Sequence, residues 1–298
     1  MSGLIEQAAL RLEQLRQAGV LVPELQAAAG GPGANAFAPL GASPPRSPAS
    51  RAVHSRRIEL DLMALGASNI VTPSAPRSQV AEQFRLIKRP LITNAMGKGT
   101  DRPLHANLIM VTSAVAGEGK SFTSVNLAMS IAAELDHTVM LVDADVARPS
   151  LPRMLGVPEG PGLLDLLDGT TEMSDALLKT NIDKLTLLRS GTPHARATEM
   201  LASDAMRHLL DDMSRRYSDR IIIFDSPPLL LTTESRALAM NMGQIVVVVQ
   251  AGKTLQADVL HAVSTIEACP LKMLLLNQTR VDSQESYGYG YGYGYGYG

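Results

Sequence analysis

Leu108-Ile109-Met110-Val111-Thr112-Ser113 runs directly into Ala114-Val115-Ala116-Gly117-Glu118-Gly119-Lys120-Ser121, and the reading of this stretch decides the fold. An apolar run of strand length without polar alternation reads as a strand covered on both faces. The glycine turn behind it opens a helical pattern carrying Val125, Leu127 and Ala128. Strand, glycine turn and helix in this order aim backbone N–H groups and a helix N-terminus at one point, where an anion is stabilised. The spacing is that of a phosphate-binding loop with Ala114 in place of the first glycine. Lys120 is placed to reach the outer phosphates of ATP and Ser121 to ligate Mg2+, while Ala116, Gly117, Glu118, Gly119 and Phe122 complete the nucleotide-binding segment. A glycine turn without a ligand is the bland alternative. Lys and Ser side by side between a strand and a helix argue against it.

Working outward, further apolar runs at 139–142, 185–188, 221–224, 245–249 and 273–276 join the one at 108–112. Helical patterns at about 120–135, 203–217, 235–241 and 255–267 lie between them. Continuous apolar strands alternating with helices predict a doubly wound, mostly parallel α/β sheet, with ligands at the carboxyl ends of its strands. Two of those ends carry acid: Asp143-Ala144-Asp145 and Asp225-Ser226-Pro227-Pro228. Ionised oxygen at the end of a buried strand is expensive unless compensated. Mg2+ is the obvious compensation, held by Ser121 and, mostly through water, by Asp143 and Asp225. Asp145 is then available to accept the proton of an attacking hydroxyl. Taken singly each aspartate reads as a cap or turn residue, but jointly with the loop they read as a site. Asn277 closes the last strand and either contacts adenine or caps a strand end.

The chain has 298 residues, 45% apolar and 19% charged, enough for one sizeable core with accessory segments. A formal charge of -2 argues against nucleic-acid binding through a broad basic surface. Cys269 is the single cysteine, so no intramolecular disulfide exists, and a reducing cytoplasmic compartment is expected. Residues 1–26 read as an amphipathic helix with Ile5, Ala8, Leu12 and Leu15 on one stripe, and 27–52 as a Gly/Pro/Ser-rich linker. The domain proper is expected over 53–286. Residues 287–298 are a Tyr-Gly repeat too glycine-rich to pack, carrying Tyr287, Tyr289, Tyr291, Tyr293, Tyr295 and Tyr297. Alone, that tail reads equally as an acceptor of phosphate or as a sticky self-association tract.

The phosphate loop, the acidic second motif 143–145 and the third motif 225–228 resemble the Walker A, A′ and B elements of the bacterial tyrosine kinases, and the tail resembles that family's autophosphorylation cluster. The resemblance spans about residues 80–298 and is greatest to the free-standing cytoplasmic autokinases of exopolysaccharide loci. It implies a phosphate-loop NTPase fold of the deviant Walker type and an ATP-dependent tyrosine kinase that modifies its own tail. It also implies a homo-oligomeric ring, with an octamer as candidate size, a membrane polysaccharide co-polymerase as activator, a cognate tyrosine phosphatase, and a place at the inner membrane through that partner. Glu82, Arg85 and Lys88, on a helix expected at about 79–90, match the family's Glu-x-x-Arg-x-x-Arg oligomerisation spacing with lysine at the third place. Arg148 is the basic residue of the second motif, one position later than the family's arginine, where this chain has Ala147. A positioning ATPase of the MinD or ParA type and a non-catalytic nucleotide-binding scaffold are the alternatives. The first usually has another lysine early in the loop, where Val115 and Ala116 stand here, and leaves the tail without a role.

Overall fold

Leucine, isoleucine, valine and methionine dominate the central strands of an eight-stranded sheet in the computed structural model, which describes residues 56–73, 78–97 and 102–279. The strands are β1 (Arg56–Ile58), β2 (Leu108–Ser113), β3 (Thr138–Asp143), β4 (Leu177–Thr180), β5 (Leu185–Leu188), β6 (Arg220–Asp225), β7 (Gln244–Gln250) and β8 (Leu271–Asn277). Their order is β1-β4-β5-β3-β6-β2-β7-β8. Every pairing is parallel except β4 with β5. The expected doubly wound, mostly parallel architecture is therefore present. The N-terminal amphipathic pattern, the linker and the Tyr-Gly tail lie outside the described residues.

The helices are α1 (Leu62–Ala67), α2 (Gln79–Met96), α3 (Lys120–Ala132), α4 (Leu151–Leu155), α5 (Leu163–Leu167), α6 (Met173–Ala176), α7 (Ala197–Leu201), α8 (Asp204–Arg216), α9 (Thr233–Ala239) and α10 (Gln256–Ser264). Alternation along each strand sends successive side chains to opposite faces. Ile109, Val111, Leu141 and Ile223 pack with Leu91 of α2 and Val125, Ala128 and Ile131 of α3 in one core. Leu108, Met110, Met140 and Phe224 pack with Met206, Leu210 and Met213 of α8 and Leu238 of α9 in the other. With the sheet covered on both sides, the carboxyl ends of β2, β3 and β6 share one edge, and there the acidic residues gather.

Two strands had no sequence signal. β1 is Arg-Arg-Ile with no apolar run, and β4 is a four-residue piece that reverses direction against β5. The helix expected to end near residue 90 runs to Met96, passing through Pro90, because Leu91 and Ala95 beyond it are fully buried. Pro90 removes one backbone bond, and the burial that follows outweighs the loss.

Lys88 requires a correction. Expected with Glu82 and Arg85 on a subunit-facing stripe, it is 3% exposed. Its Nζ donates to Ser130 O at 2.5 Å and pairs with Glu134 Oε1 at 2.6 Å, within the same chain. Helical phase is the cause: Phe84, Lys88, Leu91 and Ala95 share the buried face, while Glu82 and Arg85 pair with each other on the exposed one. Arg89, next in sequence, is exposed.

Candidate functional site

β2 delivers the chain into the loop 114–119, and α3 begins at Lys120. Gly117 and Gly119 adopt φ of 87° and 94°, a region L side chains rarely enter. At Gly119 a Cβ would also stand 2.1 Å from Asn277 Nδ2, so glycine is required there twice over. Asn277 Nδ2 donates to Glu118 O at 2.9 Å, which fastens the end of β8 to the loop. The Glu118 side chain turns inward and is 1% exposed. Its Oε2 accepts from Val115 N at 2.7 Å, and its Oε1 accepts from Thr254 Oγ1 at 2.5 Å and Gln250 N at 3.3 Å. The Phe122 ring meets Phe84 of α2 edge-on, with centroids 6.4 Å apart.

Lys120 Nζ lies 2.7 Å from Asp145 Oδ2, so two of the expected catalytic groups form an ion pair. Asp145 Oδ1 accepts from Arg148 N at 3.2 Å, which fixes the carboxylate on the turn after β3. Arg148 and Ala147 are exposed on that turn. Asp143 and Asp225 are register partners on neighbouring strands, and both are fully buried. Burial pushes the Asp143 carboxyl up to about 8, with repulsion from Asp225 and Asp145 adding to the rise and backbone N–H groups of Leu151 and Asp145 opposing it. Burial raises Asp225 as well, against the pull of Lys120, Ser121 and Ser124.

Sequence reasoning missed two hydroxyls at this centre. Ser124 Oγ donates to Asp225 Oδ1 at 3.0 Å, and Ser150 Oγ lies 2.8 Å from Ser121 Oγ. Ser124 follows Ser121 by three positions on one helix, a spacing that could have shown it. Ser150 comes from the segment after β3, and nothing local to it signals the approach. Among the described residues no group of three or more His, Cys, Asp or Glu side chains is arranged to hold a metal by itself. The oxygen set of Ser121, Asp143 and Asp225 nevertheless suits Mg2+, which keeps several waters and takes further ligands from phosphate. Two carboxylates side by side in a dry site are favoured together when a cation stands between them.

A family model described as ParA: NUBPL iron-transfer P-loop NTPase matches residues 105–276, more than half of the chain. The tyrosine-protein kinase YwqD of Bacillus subtilis is 30% identical over 222 residues, covering 74% of this chain and 90% of that protein. The succinoglycan biosynthesis transport protein ExoP of Rhizobium meliloti is 30% identical over 233 residues, 76% of this chain but 28% of its own length. The solved kinase domain of the Escherichia coli tyrosine kinase ETK superposes with a TM-score of 0.63 at 25% identity, covering 74% of this chain and 84% of that one.

Proposed function

The chain belongs to the bacterial tyrosine kinases, built on a ParA-type P-loop NTPase domain, and from that premise we propose that it is an ATP-dependent autokinase of its own Tyr-Gly tail. The observation that carries the reading is one cluster at the carboxyl edge of the sheet: Lys120 paired with Asp145, beside the buried Asp143 and Asp225. ATP is the phosphoryl donor; Mg2+, held by Ser121, Asp225 and Asp143, would neutralise charge on the transferring phosphate. The loop backbone at 116–121 cradles the phosphates, and Asn277, which donates to Glu118 O of the loop, is the adenine contact in this reading.

Lys120 leaves Asp145 for the nucleotide's anionic oxygens, which frees Asp145 Oδ2. A tail phenol then attacks the γ-phosphorus, its proton passing to Asp145 as the bond to the β,γ-bridging oxygen breaks and ADP departs. Arg148, on the same turn, is a further cation for the phosphate in this reading. Tethering holds the tail at about millimolar effective concentration, so weak recognition of each tyrosine suffices. The exposed face of α2 with Glu82 and Arg85 is the ring-forming surface in this reading. Similarity to ExoP, a succinoglycan biosynthesis transport protein, supports placing the activity in exopolysaccharide production. A membrane co-polymerase as activator and a tyrosine phosphatase that resets the tail complete the reading.

Val115 and Ala116, where a positioning ATPase carries lysine, count against the alternative switch. The test is Lys120→Met: phosphotyrosine on the tail is expected to disappear after incubation with Mg·ATP. Retained phosphotyrosine on purified Lys120→Met protein would overturn the reading.

A further inference from the structure

Beside the phosphate loop, α4 and the segments at 156–160 and 189–193 enclose a cavity of about 690 Å3. Its wall begins at Pro149, adjacent to Ser150, whose hydroxyl touches Ser121 of the loop. Arg189, directly after β5, forms part of that wall and is 4% exposed. Its Nε donates to Pro161 O at 3.2 Å and its Nη1 to Pro158 O at 3.0 Å, while the buried Nη2 has no partner. A guanidinium is charged at every accessible pH, and burying it without a counter-charge is unfavourable. Asp165, the carboxylate that acts on it, already accepts backbone N–H bonds from Gly162 at 2.8 Å and Thr192 at 3.0 Å. Arg153 and Glu159, both exposed on the cavity wall, offset each other, so the balance of the Arg189 charge falls to Asp165, which is shared with those two backbone donors.

Gly160 leaves room over this guanidinium, because a Cβ there would stand 2.7 Å from Nη1 and 2.9 Å from Nη2. Arg189 also shares a small void with Asp143, which places the cation near the acidic end of β3. The tail supplies a matching ligand. In an extended Tyr-Gly repeat the phenols fall on one side, about 6.6–6.8 Å from each other. A tyrosine at Asp145 therefore has its neighbour's phenol one short step away along the same face.

Resting on the autokinase reading of the adjoining site, we propose that this cavity is a subsite for a tail tyrosine already phosphorylated, its phosphate monoester bound by Arg189 and its neighbour thereby presented to Asp145. The first modification then primes those that follow. Prolines 149, 152 and 193 and the bare glycines of the wall suit a tyrosyl ring flanked by glycine.

The test is fluorescence anisotropy with labelled Tyr-Gly hexamers, one unmodified and one carrying a single phosphotyrosine, on the full chain saturated with Mg2+ and a non-hydrolysable ATP analogue. The analogue keeps the peptide's phosphate out of the γ-phosphate position. The phosphopeptide is expected to bind about tenfold more tightly, as a charge-assisted guanidinium contact implies. Arg189→Lys, which loses the planar fork, and Gly160→Ala, which pushes a methyl group into it, should each remove most of that preference. If Arg189→Lys fails to melt cooperatively, Gly160→Ala and the wild-type comparison decide. Equal binding of the two peptides by wild type, or a preference that persists in folded variants, would overturn the proposal. So would inorganic phosphate displacing the phosphopeptide at matching concentration, which would mark a free-anion site. No phosphoryl transfer occurs in the assay, so a chain that reads phosphotyrosine but lacks kinase activity is distinguished from one in which the subsite is wrong.

Discussion

Lys120 is held by Asp145 at 2.7 Å with both side chains nearly buried, so the resting pair has to open before either group can work. Asp145→Asn keeps the shape and removes the proton acceptor. Tail phosphorylation should fall by about 10²–10⁴ while binding of a fluorescent ATP analogue changes far less, since general-base loss acts on the chemical step. Glu118 makes the opposite prediction. It braces the phosphate loop from inside by accepting hydrogen bonds from Val115 N, Gln250 N and Thr254 Oγ1, and Glu118→Ala removes all three acceptor bonds at once. Hydrogen bonds to a charged group contribute about 1.5–3 kcal/mol each, so the loop should loosen and KM for ATP should rise about tenfold or more. Steady-state kinetics separate the two variants.

Among the elements, the joint between α2 and α3 departs furthest from what the sequence reveals. The apolar runs in β2, β3, β5, β6 and β7 and the helices α3, α8, α9 and α10 were legible from periodicity, because burial on both sheet faces leaves an apolar record, and β8 was legible from its apolar run although Leu274 and Leu276 are exposed. The phosphate loop and the acidic strand ends were legible from spacing. Lys88 was not, since a lysine among apolar positions reads as solvated until a partner such as Glu134 is brought to it by tertiary packing. Ser150 and Arg189 escaped for the same reason: their partners lie far away in sequence. The Lys88 contact holds the Glu134 carboxyl below its ordinary value of 4.5. A depressed folded value means the contribution is present above the unfolded value and lost as pH falls through the folded one. Glu134→Gln should therefore lower Tm at pH 7, by the equivalent of about 1–3 kcal/mol for a buried ammonium left short of a partner. The difference from wild type should shrink as pH falls below the ordinary value of 4.5 and the wild-type carboxyl protonates. Melting curves at the two pH values check it.

At the scale of the whole molecule, no helix among the described residues is long and apolar enough to cross a membrane, and the sheet edge that carries the site is built from one chain. Six tail phosphates would add on the order of ten negative charges at neutral pH. Mutual repulsion on that scale should drive any ring apart, so protein incubated with Mg·ATP should sediment as a smaller species than protein held with Mg·ADP. Phosphorylation of the tail by the chain that carries it is tested most directly by intact-mass spectrometry. Wild type, Asp145→Asn and a chain ending at Ser286 are each incubated with Mg·ATP. A ladder of added phosphates is expected on wild type and on neither of the others. Wild type that releases ADP without gaining mass would contradict the autokinase reading.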